Sequence, residues 1–125
     1  MRAAINGAIL LLALLLSSCA GHQKVPWTTA NKVAFAAAVG GQTLDVASTR
    51  DGLSRGCYEM NPLLGRDPST AQLIGLKALG LGFAYIMIEY MSPPEDRQLY
   101  RTVGYSFFGA IGSAAAIHNY NLDCP

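Results

Sequence analysis

Asp45, Thr49, Glu59, Asn61 and His118 are the side chains from which a reactive or ligand-binding site could be built. Two carboxylates and an imidazole are the parts of a metal site or an acid–base pair. They converge if the segment from 50 to 68 folds back over the helix ends around it, which would make a pocket near Asp45, Glu59 and His118. The same residues have a plainer use. Asp45 and Thr49 can hydrogen-bond loop backbone, and Glu59 and Asn61 can cap helix ends and order a turn, because buried polar groups must be paired. The plainer use is favoured. Only two histidines exist, His22 and His118, and His22 lies near the N-terminus. No Ser-His-Asp order, phosphate-binding Gly-rich loop or Cys-x-x-Cys pair is present. An enzyme is therefore the weakest reading, and no cofactor is expected.

Helices carry and flank these residues. The spacing predicts an all-α chain with three apolar helices, at about 28–49, 70–91 and 93–118. An ordered loop joins the first two. Thr28 or Thr29 can cap the first helix, and Asp51-Gly52 is expected to end it. Gln42, Asp45 and Thr49 stand at i, i+3 and i+7, so three polar groups share one face of an otherwise apolar helix. Ser69-Thr70-Ala71-Gln72 is a capping box for the second helix. Its body is apolar on all sides except Lys77 and Glu89, as in a helix buried in protein or in lipid. Twenty-two residues rise about 33 Å, enough to cross a bilayer, and Lys77 and Glu89 can snorkel toward opposite ends. Ser92-Pro93-Pro94-Glu95 reads as the capping box of the third helix. The near absence of a loop there predicts a tight antiparallel hairpin. In the third helix Gly109-x-x-x-Ser113 and Gly112-x-x-x-Ala116 let another backbone approach closely. They would suit a membrane-protein partner or a second copy of the chain.

Composition narrows the class. The chain has 125 residues, 51% of them hydrophobic and only 14% charged, with net charge +1. It is long enough for one domain and too apolar to be disordered. Nothing in it could neutralise a run of phosphates, so nucleic acid is excluded as a partner.

The first residues read as a leader. Arg2 is followed by ten unbroken apolar residues, Gly7 to Leu16. Ten residues span about 15 Å, half the hydrocarbon core, which fits a signal-peptide core and not a membrane span. Leu16-Ser17-Ser18-Cys19 then resembles the lipobox of bacterial lipoproteins. The resemblance implies a signal peptide over 1–18, acylation (palmitate included) of Cys19, a tether over 19–27 and a helical domain over 28–125. Several acyl chains make such an anchor effectively permanent. Ala20, in place of Asp, favours the outer membrane under the family's sorting rule, whereas spanning helices favour the inner one. Removing the leader takes Arg2 with it and leaves eight basic and eight acidic residues.

The helical part resembles a domain-of-unknown-function family of small bacterial membrane proteins. The residues that carry the resemblance are Asp45, Thr49, Glu59, Asn61, Pro62 and Gly65, with Asn119 or Asn121 near the end. It covers most of Thr28 to Asn121 and implies a membrane-embedded helical protein with no assigned activity.

Cys57 and Cys124 remain. In an oxidising periplasm they would pair and tie the loop to the C-terminus. In three true spans with a periplasmic N-terminus they would share the cytoplasmic side and stay reduced. The expected product is a lipid-anchored protein of the bacterial cell envelope, structural or interacting in role and embedded in the membrane. The alternative is a periplasm-facing helical module binding a small ligand or metal near Asp45, Glu59 and His118.

Overall fold

Thr28 starts the first helix by a reciprocal cap. Its hydroxyl accepts from Asn31 N at 3.1 Å, and Asn31 Oδ1 accepts from Thr28 N at 3.2 Å. Ser69 and Gln72 do the same for the second helix, at 3.2 and 2.7 Å. Each cap satisfies two backbone donors that a helix start leaves free. The computed structural model describes residues 23–124. The leader and Cys19, on which the expected anchor rests, lie outside them. The described residues form α1 (Thr29–Ser54), α2 (Thr70–Ile86) running on into a π turn (Met87–Met91), and α3 (Arg97–Tyr120). They are all-helical, with no strand.

Two boundaries differ from expectation. Helix α1 does not stop at Gly52, which is a buried helical residue. It ends where Gly56 takes φ 95°, a conformation that glycine reaches without a Cβ penalty. Helix α3 does not start on a cap at Ser92. Pro94 pushes Pro93 out of the α region, and Asp96 N closes a turn on Pro93 O at 3.2 Å before the helix begins. Ser92 instead donates its hydroxyl to Ile88 O at 2.5 Å.

Helices α1 and α3 run parallel and make most of the inter-helix contact. Small residues set their distance. Ala38 and Gly41 on α1 meet Gly109 and Gly112 on α3, and all are buried. A Cβ on Gly109 would lie 2.7 Å from Ala37 O, and one on Gly112 would lie 2.8 Å from Gln42 N. The small-residue spacings of α3 are thus filled by α1 of the same chain. Gly109, Gly112 and Ala116 are unavailable to a partner, and Ser113 is half-buried beside them. The expected α2–α3 hairpin is looser than its short joint suggests. Helix α2 touches α3 chiefly through the π turn, where Ile88 packs onto Gly104.

The polarity of the bundle is inverted. Leu73, Ile88 and Tyr105 are the only large apolar side chains fully inside it, among the described residues. Leu79 is 73% exposed, Phe83 65% and Phe107 62%. Asp45, Glu89, Arg97 and Arg101 are buried instead. Among the described residues, only the stretch Thr70–Met91 is long and apolar enough to cross a membrane by itself, and 11% of its most apolar window is buried within the protein.

Candidate functional site

The polar face of α1 points into the bundle. Gln42 Nε2 donates to Phe108 O at 2.8 Å. Three residues on, Asp45 pairs with the Lys77 ammonium of α2. Asn119, in the last turn of α3, donates its amide to Asp45 Oδ1 at 3.3 Å, to Ser48 Oγ at 3.1 Å and to Thr49 Oγ1 at 3.1 Å. One ion pair and one amide therefore join all three helices at the loop end. The Asp45 side chain is 9% exposed and that of Lys77 31%. Lys77 does not snorkel: it turns inward to the carboxylate, because an unpaired charge there is costly.

Removing Asn119 should be felt. In an Asn119→Leu variant three acceptors lose their shared donor, at a cost of about 1–3 kcal/mol. The SDS concentration that unfolds half the protein should fall accordingly; an unchanged midpoint would show that the amide contributes nothing.

The five predicted residues divide. Thr49, Glu59 and His118 share the wall of one cavity of about 320 Å³, with Asn119, Tyr58 and Cys57. Asp45 lies behind Asn119 and is spent on Lys77. Asn61 stands in the loop and orders it: its N–H donates to Glu59 Oε1 at 2.8 Å, and its Oδ1 accepts from Leu63 N at 3.0 Å. Glu59 and Asn61 thus have the turn-ordering role. The backbone helps, since Glu59 N donates to Arg66 O at 3.0 Å, and Gly65 takes φ 75°. Among the described residues no group of three or more His, Cys, Asp or Glu is placed to hold a metal ion. The cavity can take a small molecule against largely apolar walls, with Glu59 and His118 as its ionisable groups.

The C-terminus closes over this end. Cys57 and Cys124 form a disulfide with Cα atoms 5.1 Å apart. Arg55 donates to the carbonyls of Asn119 at 3.0 Å and Leu122 at 2.8 Å and pairs with Asp51.

A second polar cluster stands at the opposite end, and the sequence reading missed it. Arg101 donates to both carboxylate oxygens of Glu89, at 2.8 and 2.6 Å. Tyr105 OH reaches Glu89 Oε1 at 3.5 Å. Tyr105 also stacks on Trp27 at 5.9 Å and meets Phe35 edge-on at 5.1 Å. Glu89 was expected to snorkel outward. The π turn widens the helix by one residue per turn and so carries both Ile88 and Glu89 to the interior. A signal was available: Glu89 and Arg101 are opposite charges flanking a proline joint, Glu89 near the end of one apolar stretch and Arg101 at the start of the next.

No family model, no curated protein and no solved structure matches this chain.

Proposed function

We propose that the protein is an α-helical component of the bacterial cell envelope, embedded in the membrane through its own helices and anchored by acylated Cys19. Its role is structural or interacting rather than catalytic. One observation carries the reading: the bundle is polar and small-residue inside and large-apolar outside. A water-soluble domain buries its large apolar residues and solvates its charges. In lipid the preference reverses, since charges must pair inward and helices associate through small residues. A nitroxide on Leu79→Cys or Phe107→Cys tests this directly. Collisions with dissolved oxygen should dominate over those with a water-soluble nickel chelate. The reverse ratio would put these faces in water.

Three crossings put the two ends of the bundle in different compartments. With Cys19 acylated at the Trp27 end, Cys57 and Cys124 lie across the membrane. A disulfide persists only in oxidising surroundings. Both faces are then oxidising, as at an outer membrane, which is the destination that Ala20 favours. In intact cells Cys57 and Cys124 should resist maleimide until a reductant is added. Labelling without reductant would put the loop in the cytoplasm.

A second reading rests on the cavity. Glu59 and His118 face one space, so a small ligand bound there would contact both. His118→Ala would then abolish binding and leave the fold standing, whereas unchanged binding would contradict this reading.

A further inference from the structure

Arg97 and Arg101 are 3% and 2% exposed, and both reach beyond the helices. Arg97 Nη1 donates to Gln23 O at 2.6 Å, while its Nη2 holds Ser92 O at 3.0 Å. Arg101 Nη1 donates to the carbonyls of Val25 and Pro26, at 3.0 and 3.2 Å. The Arg101 guanidinium lies 4.8 Å from the centre of the Trp27 ring. Residues 23–27 form neither helix nor strand. Their carbonyls are nonetheless held by buried cations, and their one aromatic ring is packed. The expected tether is therefore part of the folded body from Gln23 onward.

We propose that the acyl chains on Cys19 dock on this chain's own apolar surface at the π turn, around Met87 and Met91. The proposal rests on Cys19 being lipidated. Chain length carries it: the step from Cys19 to Gln23 is four residues, which reach at most about 14 Å. Gln23 O and Ser92 O share the Arg97 guanidinium, so the chain end sits beside the residue that follows Met91. Met91 is 67% exposed and Met87 39%. Their unbranched, polarisable side chains adapt readily to a flexible neighbour. The acyl chains cover this face, and anchor and bundle move as one body.

The test uses the full chain in cells fed a palmitate analogue that carries a diazirine. After illumination the chain is purified and digested, and the cross-links are mapped. Label at Cys19 with cross-links concentrated in the peptide spanning Met87 and Met91 is the expected result. Inserting eight Gly/Ser residues between Gly21 and His22, outside the docked segment, should lower that yield at least several-fold. Label at Cys19 with cross-links only to free lipid or other proteins would overturn docking alone, as would an unchanged yield after insertion. If the chain takes up no more label than a Cys19→Ser variant, the lipid anchor fails and docking fails with it.

Discussion

A Gly112→Val chain is expected not to fold. Its Cβ would meet the backbone of Gly41 and Gln42 at distances no real contact shows, 2.8 Å from Gln42 N. These atoms are main chain, so no rotamer change relieves the overlap. The helices must separate, and with them go the Asn31 bonds to Gln98 O and Thr102 Oγ1, each 2.9 Å. The Gln42 bond to Phe108 O is lost as well. A cost above about 4 kcal/mol is expected, the size reserved for broken core packing. Gly40→Ala is the control. A Cβ there meets nothing within 4 Å, and alanine in a helix interior should stabilise by about 0.5–1 kcal/mol. The SDS-unfolding midpoint of Gly40→Ala should rise, while Gly112→Val should yield no folded protein to titrate. A folded Gly112→Val protein of ordinary midpoint would mean that α1 and α3 do not pack as described.

The second large effect is at the other end of the bundle. Glu89→Leu leaves the Arg101 guanidinium buried without its carboxylate. Removing one partner of such a pair costs about 3–5 kcal/mol, because the remaining charge keeps its desolvation penalty. Replacing both partners, Glu89→Leu with Arg101→Leu, removes that penalty and should recover much of the loss. Recovery will be incomplete, since Arg101 also holds the carbonyls of Val25 and Pro26. Equal midpoints for the single and double variants would show that the pair is not coupled. The single variant should also expose Trp27, whose fluorescence then shifts to the red.

Local features of this fold are legible in the sequence, and pairings across it are less so. The caps at Thr28 and Ser69 need only residues three apart, and both form. The inward face of Gln42, Asp45 and Thr49 follows from helical spacing alone, and all three find partners inside. The partners themselves do not follow. Lys77 is 32 residues from Asp45 and Arg101 is 12 from Glu89, and Lys77 and Glu89 each also fit a snorkelling role. Choosing between the two needs the helix rotations, which the π turn changes by a step that periodicity does not reveal. The small-residue stripe of α3 packs closely against α1. Whether its partner was the same chain or another depended on how α1 lies against α3, and spacing along one helix carries no such information. Of the predicted site, Thr49, Glu59 and His118 meet at one cavity, while Asp45 is drawn away by a lysine whose role the sequence left open.

On the proposed function, the helices themselves, and not a lipid alone, hold this protein in the membrane. Replacing residues 1–20 with an ordinary cleavable secretory signal removes Cys19, the expected site of acylation, while keeping Gln23 onward. Membranes carrying that chain are then washed in alkaline carbonate. Large apolar side chains facing lipid predict that the chain stays in the pellet. Release of a folded protein into the supernatant would contradict that account and leave the lipid as its only tether.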